Sequence, residues 1–171
     1  MSTHTLSVLV EDRPGVLARV AGLFSRRGFN IESLAVGPTE TVGVSRITLV
    51  TVVDDERFVE QLVKQLNKLI ETLKVVELEE SAVKRELMLV KVKCDNENRG
   101  SVIDVVSLFR GKAVDVGLSS VTIEVTGSHD KLEALVTMLQ PYGIIEIVKS
   151  GQVALGRGNK SINEKQKART N

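Results

Sequence analysis

Six consecutive residues, Asp12-Arg13-Pro14-Gly15-Val16-Leu17, hold the types most suited to gripping a small charged ligand. They follow an alternating apolar run, Leu6, Val8 and Val10, which reads as a half-buried strand. They precede Val16, Leu17, Val20, Leu23 and Phe24, which recur at helical spacing, with Arg19, Arg26 and Arg27 on the other side. A strand therefore ends, turns and feeds a helix within a few residues. Backbone N–H groups at such a helix start are unpaired and attract a carboxylate or phosphate. Asp12 is a candidate cap, Pro14 suits a first helical turn, and Gly15 lets a ligand or a second backbone approach closely. The same features also mark an ordinary helix start.

An amino acid suits this junction. Its carboxylate accepts from the N–H groups near Gly15, Val16 and Leu17, and its ammonium is held by the oxygens of Asp12 and Asn30. A branched apolar side chain contacts Val16, Leu17 or Ile31. Asn30 and Ile31 follow the helix rather than precede it, so the two ends cannot meet one ligand within a single copy. Two copies side by side form a shared pocket, and binding then depends on dimerisation.

The elements that position these residues occur twice. After the helix, Gly28 is placed for a left-handed stop. Phe29 to Val36 is a second strand, Gly37-Pro38-Thr39-Glu40 a turn, and Val44 to Val53 a long third strand. Asp54 or Asp55 caps a second helix whose stripe is Phe58, Leu62, Leu66, Leu69 and Leu73. Val75 to Leu78 is a fourth strand. The order β-α-β-β-α-β is the ferredoxin-like arrangement, here read with two parallel central strands side by side. The second half repeats it: Leu87 to Val92, a helix through Val102, Val105, Val106 and Phe109, strands Ala113 to Val116 and Val121 to Val125, a helix near Ser128, then Ile144 to Val148 and Val153 to Leu155. The repeat is of pattern and not of residue identity. The expected class is α+β with two tandem ferredoxin-like βαββαβ domains, 1–79 and 84–157, joined by a polar connector. Residues 158–171, rich in Lys, Arg and small polar side chains, read as a flexible basic tail.

Several chemistries find no support. Twenty-three Lys and Arg against 22 Asp and Glu leave a net charge of +1, no electrostatic lure for nucleic acid or membrane. No apolar run approaches the roughly 20 residues that span a bilayer. Cys94 is the single cysteine, so no intrachain disulfide forms, and a reducing compartment fits. His4 and His129 lack partners at metal-ligand spacing. Gly151 to Gly156 resembles the front of a phosphate loop, but Arg157 stands where Lys is required. Aromatic residues are 3% of the chain, too few for a base-stacking sheet. No catalytic residue and no metal ligand is assigned.

The Asp12 to Leu17 motif resembles the opening of ACT domains, which bind small effectors, often amino acids. The longer stretch Gly22 to Leu34 resembles the regulatory, or small, subunit of acetohydroxyacid synthase, also called acetolactate synthase. Val44 to Thr48, Arg85 to Val92 and Phe109-Arg110-Gly111 agree with it. The resemblance implies a non-catalytic regulator with an N-terminal ACT domain. It implies effector residues at Asp12, Gly15, Val16, Leu17, Asn30 and Ile31. Position 12 is often Asn in relatives; Asp keeps the acceptors and lacks the amide donor. It further implies a homodimer through the ACT domains, valine or another branched-chain amino acid as effector, and a separate catalytic large subunit. That partner would carry thiamine diphosphate and Mg and condense two pyruvates, while this chain binds no cofactor. A cytoplasmic setting is implied, or the plastid stroma for a photosynthetic eukaryote. The alternatives are a free-standing amino-acid sensor and a small stand-alone enzyme on the same fold. The second domain is the expected surface for the catalytic subunit.

Overall fold

A computed structural model describes residues 2–163 of the chain. Among them, 2–83 and 154–163 pack as one compact unit and Lys84–Val153 as another. The expectation placed the chain up to residue 157 with the second half, whereas 154–163 packs with the first.

The first unit runs β1 (Ser2–Glu11), α1 (Val16–Arg26), β2 (Ser33–Pro38), β3 (Val44–Val53), α2 (Glu56–Leu66) and β4 (Thr72–Leu78). Its sheet order is β2-β3-β1-β4, and each neighbouring pair is antiparallel. The central strands β1 and β3 are thus antiparallel, not parallel as read from the sequence. Each βαβ crossover leaves a gap one strand wide, and a strand of the other crossover fills it. One face carries Leu6, Val8, Val10, Ile47 and Leu49, which bury against Val16, Val20, Leu23 and Phe24 of α1 and Val59, Leu62 and Leu66 of α2. The opposite face is also shielded: Thr5, Ser7, Thr48 and Val50 are all buried.

Local chemistry sets the ends of these elements. Asp55 caps α2 by accepting from the Arg57 N–H at 2.9 Å. Gly28, at φ 71°, ends α1: its N–H bonds the Ser25 carbonyl and the Phe29 N–H bonds the Phe24 carbonyl, the paired bonds of a Schellman stop. The second helix stops at Leu66, so Leu69 and Leu73 leave its stripe. Leu69 still packs on the core, while Leu73 lies in β4 and is 51% exposed.

The second unit contains β5 (Val83–Lys93), α3 (Arg99–Leu108), β6 (Lys112–Val116), β7 (Ser120–Gly127), α4 (His129–Leu139) and β8 (Ile144–Lys149), and a short β9 (Val153–Leu155) straddles the point where the chain returns to the first unit. Its order, β6-β7-β5-β8, repeats the first sheet strand for strand. Met88, Val90, Val92, Val121, Ile123 and Val125 bury against Val102, Val105, Leu132 and Leu135. Ser128 caps α4 through the Lys131 N–H. Cys94 follows β5 directly and is buried in this core.

Candidate effector-binding site

The turn between β1 and α1 is built differently from the simple start read in the sequence. The helix begins at Val16, two residues after Pro14, and its N-cap is Gly15 at φ 85° with no side-chain cap. Asp12 therefore does not cap it. That left-handed φ is what requires glycine at 15. A Cβ there would meet the Arg19 guanidinium at 3.4 Å, an ordinary contact with a flexible side chain, so space alone does not exclude other residues. The Gly15 carbonyl accepts the Arg19 N–H at 3.1 Å, which opens the helical ladder. The N–H groups of the first turn precede that ladder and point out of the helix end. Val16 N is turned to the Arg13 carbonyl at a long 3.4 Å.

Side-chain burial separates the candidate residues. Asp12, Gly15 and Leu17 are exposed at this helix start. Leu17 is 41% exposed and free to meet an apolar ligand, whereas Val16 is 4% exposed and sits in the core. Val16 can offer its N–H, while its side chain packs in the core, which leaves Leu17 and Ile31 of the three apolar candidates for a ligand side chain. Arg19, one turn on, falls by its spacing on the polar face of α1. Its guanidinium lies beside Gly15 and pairs with Glu71, which puts a cation next to the exposed N–H groups. The i, i+4 spacing from Gly15 was the signal for it.

Asn30 and Ile31 lie at the other end of α1. The eleven-residue helix rises about 16 Å at 1.5 Å per residue. Asn30 is held at the far end of the sheet, because its carbonyl accepts the Thr51 hydroxyl at 2.8 Å and Glu32 N–H bonds Val50. Asn30 is exposed and its amide donates to Glu32 at 2.8 Å, leaving its oxygen as the acceptor. Ile31 is half-buried against the core. The edge-to-face pair Phe29–Phe58, 5.6 Å between ring centres, anchors this segment on α2. One copy thus brings Asp12, Gly15 and Leu17 together and keeps Asn30 and Ile31 apart from them. Among the described residues, the adjacent strand β2 is a sheet edge, paired only with β3.

Residues 6–74 match the family described as AHAS small subunit-like ACT domain, and residues 85–158 match the small subunit of acetolactate synthase. The acetolactate synthase small subunit of Mycolicibacterium smegmatis is 60% identical over 161 residues, covering 94% of each chain. The chain belongs to the acetolactate synthase small-subunit family. A probable small subunit of Archaeoglobus fulgidus is 55% identical over 92% of this chain and 98% of its own. The crystal structure of the acetolactate synthase small subunit from Thermotoga maritima superposes with a TM-score of 0.86 at 40% identity, over 94% of this chain and all of that one. The fold is accordingly α+β, two ferredoxin-like units of which the first is an ACT domain. Family membership fits a non-catalytic, regulatory subunit. Among the described residues, no helix is long and apolar enough to cross a membrane.

Proposed function

We propose that this chain is the regulatory subunit that activates a separate catalytic subunit of acetolactate synthase and makes it sensitive to valine. The relatives named as small subunits support the partnership with a large subunit. That partner carries the thiamine diphosphate and Mg and performs the pyruvate condensation, in the cytoplasm. The observation that carries the valine reading is the split site. A left-handed Gly15 exposes amides and the Arg19 cation at one end of α1, while the Asn30 acceptor stands at the other, with the helix's length of about 16 Å between them. A ligand with a carboxylate and an ammonium on one carbon does not span that gap within one copy. Two copies joined at the β2 edge bring the start of α1 in one beside Asn30 in the other. The valine carboxylate then meets the helix-start amides, Asp12 and Asn30 oxygens hold the ammonium, and Leu17 and Ile31 receive the isopropyl group.

Binding favours one arrangement of the paired units, and a coupling of about 1–3 kcal/mol is sufficient for feedback control. The second unit, which lacks the ligand motif, is the proposed docking surface for the catalytic subunit. The test is an acetolactate assay with the catalytic subunit alone, with this chain added, and with this chain and valine. Activation on adding the chain and its partial reversal by valine are expected. An unchanged rate in all three would overturn the reading.

A further inference from the structure

A cavity in the first unit is separate from the split site and complete within one copy. Residues 154–163 run across the outer face of the first sheet as a strap. The Arg46 guanidinium donates through Nη2 to the Ala154 carbonyl at 3.0 Å, Arg157 Nε to the Ser81 carbonyl at 2.5 Å, and Lys160 pairs with Glu79. Beneath the strap lies a cavity of about 400 Å3, within the range of about 300–1,000 Å3 common for small-molecule sites. Leu9, Val76 and Leu78 from the sheet and Leu155 and Ile162 from the strap give it apolar walls.

Arg46 is the polar feature of this cavity that lacks a full set of partners. Its Nε is buried and, among the described residues, has no hydrogen-bond partner, so a carboxylate that draws the side chain outward gives it a bond the protein itself does not supply. Burial holds its guanidinium below the usual arginine range, and only Glu40 acts against that. The acids around the cavity have other engagements. Glu40 accepts from the Asn163 amide, Glu77 pairs with His4, and Glu79 pairs with Lys160. On β2, paired with Arg46 of β3, stands Gly37, where an added Cβ would meet nothing within 4 Å, so the strand beside Arg46 leaves open space. A half-satisfied, partly desolvated guanidinium beside apolar walls is the arrangement that recognises a carboxylate carrying a short hydrocarbon tail.

We infer that this cavity binds a small aliphatic monocarboxylate, with Arg46 holding the carboxylate and the Leu9, Val76 and Leu155 walls taking the tail. The site is distinct from the valine site and does not rest on that reading. The bound molecule touches both the sheet and the strap, so it also pins the strap.

The test follows the Arg46 Nε–H signal of the full chain by nuclear magnetic resonance during titration with isovalerate, and with isopentanol as the uncharged counterpart. Isovalerate should shift that signal saturably and isopentanol should not. Arg46→Gln should weaken isovalerate binding, read by calorimetry, by about tenfold or more. Val76→Phe, which fills the cavity and keeps the arginine, should abolish it even if Arg46→Gln proves unstable. Gly15→Asp, which disables the proposed valine site, should leave isovalerate binding unchanged. The inference is overturned if isovalerate leaves the Arg46 signal unmoved, if isopentanol moves it equally, or if Gly15→Asp removes isovalerate binding while Val76→Phe does not.

Discussion

The Asp12 N–H donates to the carbonyl of Gly43 at 2.9 Å, which ties the turn ahead of α1 to the turn that feeds β3. Two loops 31 positions apart, by their numbering, are thereby joined at one end of the sheet. Gly43 itself has φ 78°, so the turn offering that carbonyl also depends on a glycine. The Asp12 backbone is fixed in this way without using its side chain, whose carboxylate stays exposed to solvent.

Gly15→Asp and Gly15→Asn separate charge from backbone strain. Both side chains tolerate the left-handed region better than most, so each should lower stability by about 1 kcal/mol and by similar amounts. Urea midpoints measure this. The Asp variant places a carboxylate against the ligand carboxylate and competes for Arg19, so only it should lose the valine heat in calorimetry completely. Activation of the catalytic subunit should survive in both. Loss of activation in either would show that the turn serves the partner and not the effector.

Asn30→Ala removes an exposed side chain whose amide serves only Glu32 in the described contacts. The backbone bond from Thr51 to the residue 30 carbonyl remains available. Stability should change by less than about 0.5 kcal/mol. Valine affinity should fall by roughly tenfold, the worth of a hydrogen bond to a charged group. An unchanged affinity would remove Asn30 from the site.

Leu17→Ala and Leu62→Ala contrast an exposed leucine of the proposed site with a structural one. Leu62 is fully buried, and its truncation should cost about 2–5 kcal/mol. Leu17 is 41% exposed, and its truncation should cost well under about 1 kcal/mol while weakening valine binding. Thermal melts and calorimetry on the same samples distinguish the two roles.

The strap should loosen in acid. A hydrogen bond from Lys160, and then its charge, holds the Glu79 carboxyl below the usual carboxylate range. A carboxyl lowered in the folded state stabilises above its unfolded value, about 4.3 for Glu, and loses that effect as pH falls through the lowered value. Amide exchange at residues 157–162 should therefore rise at acid pH beyond the intrinsic trend. In Lys160→Gln it should already be raised at neutral pH. Glu133, lowered by its hydrogen bond to Lys149, has the same sign of pH dependence in the second unit.

The elements with strong local signals were legible from residues alone. Asp55 and Ser128 cap helices, Gly28 stops one, and the two halves share an order of elements. What escaped depends on contacts made far along the chain. Strand β1 starts at Ser2 rather than Leu6, because Ser2 to Thr5 pair with Val50 to Val53 and polar alternation there carries no hydrophobic signal. Of the strap, 154–157 reads in sequence as the end of the second domain and 158–163 as the opening of a basic tail, because Arg157 and Lys160 look solvated. Their partners, Ser81 and Glu79, lie 76 and 81 positions away. Residues 164–171 of that expected tail lie outside the described residues. At the site itself the exposed residues Asp12, Gly15, Leu17 and Asn30 were legible as polar or turn types, but the commitment of Val16 to the core and the placement of Arg19 needed the fold.

Complementation between two disabled protomers tests the split site most directly. Gly15→Asp spoils the α1 end and Asn30→Ala the other, so each variant alone should bind valine poorly or not at all. In a twofold dimer carrying one of each, one site has both defects and the other has none. Random mixing should therefore restore roughly a quarter of the wild-type sites at wild-type affinity. Recovery of that fraction in calorimetry, after co-expression and dimer exchange, is the predicted result; no recovery, with both variants folded and dimeric, would contradict a pocket shared between two copies.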